Sequence, residues 1–233
     1  MDRKFVFHTR LLDQFLQDIS KNYYMLEIDG RRVSSYCTQY YDTADFKMYF
    51  NHIRGKLNRY KIRHRLYNDT DLSFLEVKFK SNYGKTFKWR IPDAFPENGN
   101  YKLNKAFVRK HLPYEPATLK ANLRTRFKRI TLVDKNFTQR ITIDSNIAFR
   151  KLNDGNSYAD EKLLDIAILE IKYERNKSAN GLHNILLKYR IKSGGFSKYC
   201  MGIVFTDPSL KKSGLLNPKI LKIHKIQDNA IIS

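Results

Sequence analysis

Two acidic residues and a long series of basic ones carry the chemistry legible in this sequence. Glu170, in ILEIKY, is followed two residues on by Lys172, so a carboxylate and an ammonium share one face of an extended segment. A carboxylate set among phosphate-binding cations is the donor with which a divalent ion bridges protein and phosphate oxygens. An ion pair with a neighbouring arginine is the plainer reading. Glu76, in FLEVKF, has the same local pattern and the same two readings.

The basic residues recur at alternate positions. Lys61, Arg63 and Arg65 oppose Ile62 and Leu66; Glu76, Lys78 and Lys80 oppose Leu75, Val77 and Phe79; Lys88 and Arg90 oppose Phe87, Trp89 and Ile91. Further on, Arg124, Arg126 and Lys128 oppose Leu123 and Phe127, and Arg140, Thr142 and Asp144 oppose Ile141 and Ile143. Glu170, Lys172 and Glu174 oppose Leu169, Ile171 and Tyr173. A sheet with one solvated face shows the same alternation. Such a face normally mixes its charges, because opposed like charges cost stability. Here the same-face residues are overwhelmingly cationic across six strands, with only Glu76, Asp144, Glu170 and Glu174 in opposition. That pattern suits a groove or closed barrel holding a multiply charged anion, with the apolar side covered by helices. Arginine forks hold two phosphate oxygens at once, and alternate positions repeat about every 6.6 Å along a strand, a spacing that fits a triphosphate or longer phosphate chain. A nucleic-acid backbone would fit too, but there is no GXXG loop, zinc-finger spacing or RNP-like run.

Other candidates carry less. Asp42, after Tyr40-Tyr41 and before Thr43, reads as a turn or helix-start residue. The six histidines show no metal-ligand spacing; His8 and His64 could touch an anion, with core or surface roles equally open. Cys37 and Cys200 lie far apart and read as buried small residues, which predicts neither a disulfide framework nor a zinc site.

The elements that must position these residues follow from periodicity. FVFHTRLLDQFLQDISKNY predicts a short strand running into a helix, with Thr9 as its cap; RVSSYCTQYYDT reads as extended; ADFKMYFNHIRGKL reads as a helix ending near Gly55. Three alternating strands follow, at RYKIRHRLYND, LSFLEVKFKSNYGK and TFKWRIPD, and then a helical insert containing KLNKAFVRKHL. Strands resume at TLKANLRTRFKRITLVD, TQRITIDSNIAFRKL and ILEIKYER, and helices close the core at GLHNILLKYRI and FSKYCMGIVF. With no βαβ alternation, the order predicts an α+β fold with a largely antiparallel sheet. Residues 1–206 form the expected domain, and 207–233 a basic tail packed on it or extending from it.

The 233 residues carry 44 Lys plus Arg against 23 Asp plus Glu, a net charge of +21, which points to a polyanionic partner. No apolar run approaches the roughly 18 residues a membrane span needs, and MDRKFVFHTR has no long apolar stretch of secretory type. A cytoplasmic protein is the expectation.

The segments RKF at 3–5, YYDT at 40–43, KIRHRLY at 61–67, FLEVKFK at 74–80, FKWRI at 87–91, NLRTRF at 122–127, QRITID at 139–144, LEIKY at 169–173 and FSKY at 196–199 together resemble the catalytic domain of the vacuolar transporter chaperone (VTC) family of polyphosphate polymerases, in the CYTH-like triphosphate tunnel metalloenzyme superfamily. The resemblance implies a closed antiparallel β-barrel tunnel with helices packed outside. It implies phosphate binding at Lys4, Arg63, Arg65, Lys78, Lys88, Arg124, Arg140, Ser197 and Lys198, and metal binding at Glu170. Strand parity adds Lys61, Lys80, Arg90, Arg126 and Lys172. Gly195 stands where the family often has a lysine, with Lys192 nearby.

The implied reaction is transfer of the ATP γ-phosphoryl group to a growing inorganic polyphosphate chain with release of ADP, supported by Mn²⁺ or Mg²⁺. ATP and polyphosphate are then the partners, and no specific nucleic acid is expected. Three alternatives stay open: hydrolysis of tripolyphosphate or a nucleoside triphosphate in the same tunnel, binding of polyphosphate or inositol phosphates without turnover, and general RNA binding. The paired ExExK opening expected of many hydrolytic relatives is not part of the motif set.

Overall fold

The computed structural model describes residues 2–96, 103–152, 161–173, 180–207, 209–210 and 217–228. Strand β1 (Asp2–His8) turns through a short 3-10 helix into α1 (Leu12–Ser20). The cap of that turn is His8, whose side chain accepts from the Arg10 amide, and not Thr9. Next come β2 (Tyr23–Met25), β3 (Val33–Thr43) and α2 (Lys47–Ile53). Asp42 is the helix-start residue its context suggested: its carboxylate accepts from the Thr43, Met48 and Tyr49 amides and from the Tyr199 hydroxyl.

The meander of β4 (Arg59–Tyr67), β5 (Leu72–Lys80) and β6 (Thr86–Pro92) follows, then α3 (Lys105–His111), capped by Asn104. The long pair β7 (Leu119–Asp134) and β8 (Gln139–Lys151) leads to β9 (Lys162–Leu164) and β10 (Ile166–Tyr173). Helices α4 (Asn180–Lys188), α5 (Lys198–Thr206) and α6 (Asn217–Asp228) complete the described chain. Helix α6 falls within the expected tail, and its Ile220 and Ile223 are buried in the same cluster as α5. Glu174 lies outside the described residues.

The sheet runs β1-β10-β8-β7-β3-β4-β5-β6 with every pairing antiparallel; β2 adds to β7 and β9 to β8. The expected closure into a continuous barrel is not seen: among the described residues no pairing joins β1 to β6. The free edge of β1 is taken by another segment, with Phe5 bridged to Ser193 and the Gly194 amide donating to the Lys4 carbonyl at 2.8 Å.

The sheet is nonetheless strongly curled. Strands β1 and β4 stand five places apart in the order, which would separate them by about 24 Å in a flat sheet. Yet Lys4 Nζ donates to the Phe196 carbonyl at 3.2 Å and Lys61 Nζ to the Ser197 hydroxyl at 2.9 Å. Both walls therefore meet one turn of chain, and the sheet forms a trough.

Its convex side is apolar and covered by helices, as the alternation predicts. Phe5, Phe7, Ile141, Ile143, Leu169 and Ile171 pack beneath α1 and α4, while Ile62, Leu75 and Val77 pack beneath α3. One helix departs from that arrangement. Helix α5 is buried from Tyr199 to Val204 and lies inside the trough, against Val6, Tyr40, Leu123, Phe149 and Ile168. A helix apolar on all sides has to be enclosed. Gly202 permits the approach: a Cβ there would stand 2.5 Å from Leu123 and 2.7 Å from Phe149.

Candidate functional site

The remainder of the concave face is charged, and the register says which residues share it. Lys4 pairs with Glu170, Glu170 with Thr142, and Ile168 with Asp144. Asp144 pairs with Arg129 across β7, Phe127 with Tyr36, and Thr125 with Thr38. The series continues through Arg65 and Arg63 on β4, Glu76 and Lys78 on β5, and Arg90 and Lys88 on β6. Opposed residues lie on one face of a pleated sheet, so this path crosses the floor of the trough from wall to wall.

At the floor, Tyr36 and Phe127 stack with ring centroids 5.1 Å apart. Three cations rest on them: Arg65 and Arg129 lie over both rings, and the Lys198 ammonium sits 4.2 Å from the Phe127 centroid. Arg129 grips Asp144 with both arms, at 2.5 and 2.8 Å, and Lys198 adds a third contact. Burial alone would raise the Asp144 carboxyl, but Lys198 and Arg129 outweigh it and hold it well below the usual range. Ser197 caps α5 by accepting from the Cys200 amide and takes the Lys61 ammonium on the same oxygen.

On the other wall, buried Glu76 accepts from Arg63 at 2.7 and 2.8 Å and is paired with Lys88. Burial raises this carboxyl too, and the Arg63 and Arg65 charges with the Lys88 hydrogen bond bring it down to about 2. Glu76 is thus fully engaged in pairing with strand cations.

Beside it, Arg65 and Lys78 have no carboxylate partner among the described residues, and the buried Arg65 Nε has no hydrogen bond there. The Arg63 charge, then burial, then Arg65 depress the Lys78 ammonium to about 6. Burial lowers Lys61 and Lys198 to about 8. Cations stacked this closely repel one another, and a polyanion between them would relieve that repulsion.

Glu170 differs from the other two carboxylates of the trough. Among the described residues its one ion pair is with Lys4 at 3.4 Å and no guanidinium holds it; its side chain is 22% exposed. Burial raises its carboxyl, while Lys4, Arg129 and Lys172 lower it further, so it stays ionised. A single loosely paired carboxylate among phosphate-binding cations fits a hard divalent ion that takes its other ligands from water and phosphate oxygens. Among the described residues no group of three or more His, Cys, Asp or Glu could hold a metal by itself, so such an ion would depend on its substrate for coordination.

The trough brings together Lys4, Lys61, Arg63, Arg65, Lys78, Lys88, Glu170, Ser197 and Lys198 as the sequence suggested. Arg140 and Lys172 oppose each other at one exposed end, Lys80 lies exposed at another, and Arg90 sits over Phe74. Arg124 and Arg126 do not belong. They oppose Gln39 and Cys37, on the convex face with Lys128. Arg124 donates to Gln39 at 2.8 Å and to the Pro96 carbonyl at 2.7 Å, and Arg126 pairs with Glu161. The alternation in β7 was sound, but its apolar face, Leu123 and Phe127, is the one that meets α5 inside the trough.

The β7 arginine that faces inward is Arg129. It shares parity with Leu123 and Phe127 and could have been found as the lone charge out of step with Arg124, Arg126 and Lys128. His64 also points away from the trough: its buried ring contacts Tyr41 and Asp93. Cys37 and Cys200 are free and buried, and burial pushes both thiols up, away from nucleophile chemistry.

The family model of the VTC domain matches residues 1–206. No curated protein matches the chain. Among solved structures, a candidate adenylyl cyclase from Hippeastrum, described as having a dominant triphosphatase activity, is 13% identical with a TM-score of 0.54; the likeness covers 92% of this chain and 97% of that one. A candidate adenylate cyclase from Bacillus halodurans is 12% identical with a TM-score of 0.50, over 84% of this chain and 92% of that one. At these identities the likeness is one of fold.

Proposed function

We propose, for a chain that belongs to the VTC domain family, that its trough binds a phosphate chain and transfers the ATP γ-phosphoryl group to the end of a growing inorganic polyphosphate. The observation that carries this reading is the pair Arg65 and Lys78, partly buried basic side chains with no carboxylate partner among the described residues on a face already rich in positive charge. Such a face is costly to hold empty and well matched to successive phosphates.

In the transfer, the bond from the γ-phosphorus to the oxygen of the departing ADP breaks, and a bond to a terminal oxygen of the acceptor chain forms. The acceptor is already ionised, so no strong base is required, and the barrier falls through positioning and charge stabilisation. Arg63, Arg65, Lys78 and Lys88 line one wall and neutralise the transferring group. Lys61 extends that wall along β4, while Lys4, Arg129 and Lys198 hold the chain from the floor and the opposite wall. Glu76 and Asp144 orient Arg63, Lys88, Arg129 and Lys198 through the contacts described above. Arg140 and Lys172 extend the positive track at the exposed end. Glu170 would hold a divalent ion, Mn²⁺ or Mg²⁺, which supplies charge neutralisation at the nucleotide phosphates. The tunnel expected of the fold would follow from the curl of the sheet, with residues 193–197, α5 and α6 closing the side where β1 and β6 do not pair. No helix among the described residues is long and apolar enough to cross a membrane.

The test is to incubate the protein with ATP and Mn²⁺, seeded with short polyphosphate, and to follow ADP, orthophosphate and long-chain polyphosphate separately. ADP formed together with lengthening polymer supports the transferase. ADP with matching orthophosphate and no polymer replaces it with hydrolysis, the activity by which the Hippeastrum protein is described. Intact ATP beside tight tripolyphosphate binding would leave a binding module.

A further inference from the structure

We infer that α6 contributes to the phosphate site, with the ammonium of Lys219 completing the end of the trough where Lys4 and Lys61 converge. The inference rests on the phosphate-chain reading above and adds to it an element beyond residues 1–206, the span matched by the family model.

The geometry centres on two glycines. A Cβ added at Gly195 would meet Lys219 Nζ at 3.3 Å and its Cε at 3.7 Å, and one added at Gly194 would meet Lys222 Nζ at 3.2 Å. Gly195 immediately precedes Phe196, whose carbonyl receives Lys4, and Ser197, whose hydroxyl receives Lys61. Lys219 thus brings its charge from α6 to the same short stretch that the two strand lysines reach from opposite walls. From that place the Lys219 charge bears on His52 and on Cys200, as the Lys61 charge does.

The helix is held for this task on both sides. Ile220 and Ile223 are buried against the α5 cluster, and Lys222 Nζ donates to the Lys192 carbonyl at 2.9 Å, tying α6 to the segment that carries the glycines. Lys222 is thereby engaged, whereas Lys219 is exposed and has no ion-pair partner among the described residues. Ammonium groups gathered around one turn of chain bind the end of a phosphate chain, where the terminal phosphate carries its largest charge. Lysine suits that position as a mobile point charge that does not require a fixed docking angle.

The test measures calorimetric Kd values for tripolyphosphate, at constant ionic strength, in the full chain and in four variants. Lys219→Ala is expected to weaken binding about fivefold to tenfold, the cost of one charge-assisted contact at an exposed position. Lys219→Arg should stay within about twofold of the unmodified chain, and so should Lys225→Ala, which removes an equal charge elsewhere on α6. Gly195→Lys combined with Lys219→Ala should recover most of the loss, because removal of the Lys219 side chain opens the space its ammonium filled. An unchanged Kd in Lys219→Ala overturns the role of α6. So does a loss that Lys225→Ala matches or that Gly195→Lys leaves unrepaired. If the unmodified chain itself fails to bind tripolyphosphate, the phosphate-chain reading falls and takes this inference with it. Alanine favours helix at this exposed position, and equal melting temperatures for the variants would confirm an intact fold.

Discussion

Replacing Lys78 with methionine should make the protein more stable and a poorer binder of phosphate. The folded chain holds the Lys78 ammonium near 6, against an ordinary value of 10.5. At pH 7 it therefore gives up a proton that the unfolded chain keeps. At about 1.4 kcal/mol per pH unit, that difference bounds the cost at roughly 4–5 kcal/mol. Solvent relaxation around a partly exposed side chain leaves on the order of 2 kcal/mol. The sign follows from linkage. For a lysine depressed on folding, the cost is fully present below the folded value and vanishes as pH rises toward the unfolded one.

Urea denaturation of Lys78→Met and the unmodified chain should therefore show the variant ahead by about 2 kcal/mol near pH 6 to 7, with the gap closing toward pH 10. Tripolyphosphate at 100 times its Kd adds about 2.7 kcal/mol to the chain that binds it and little to the variant, which is enough to erase or reverse the order. A variant that is less stable without anion, or a gap that ignores pH, would show that Lys78 is not held uncompensated in the trough.

Three further outcomes follow from the geometry. Glu170→Gln should lower metal-dependent product formation at least about tenfold, while tripolyphosphate binding in chelator stays equal or tightens, because one negative charge leaves the trough. Arg65→Ala should weaken tripolyphosphate binding about tenfold or more, whereas Arg124→Ala should leave it within about twofold and cost about 1–2 kcal/mol of stability through its lost convex-face hydrogen bonds; calorimetry and urea melts on both variants check the assignment of faces. Gly202→Ala should destabilise by about 1–3 kcal/mol in spite of better helix propensity, because its Cβ would enter the Leu123 and Phe149 contacts, and thermal unfolding reads this directly.

Much of this arrangement was legible in the chain. Alternation in β4, β5, β6, β8 and β10 separated charged from apolar faces, and the apolar face went beneath helices as expected. Asp42 announced itself as a cap by its place between a strand and a helix. What alternation cannot state is which face turns inward. In β7 both faces are partly buried, because α5 fills the trough from within, so Arg124 and Arg126 followed the wrong side and Arg129 was passed over.

A second obstacle is local. The β7–β8 register shifts between Arg126 and Lys128, opposite Asn146 with its left-handed φ of 50°, so Phe149 and Asp144 share a face although their numbers differ by an odd count. Lys219 was out of reach for another reason: a basic tail has no strand partner to fix its register, and its position depends on two isoleucines finding the α5 cluster.

The most direct test of the central claim is a crystal structure of the protein with tripolyphosphate and Mn²⁺. The account predicts phosphate oxygens in the trough within hydrogen-bond distance of Arg65 and Lys78, one chain end toward Lys4, Lys61 and Ser197, and the ion on Glu170. Tripolyphosphate bound instead on the convex face beside Arg124 and Arg126, with Arg65 and Lys78 untouched, would contradict it.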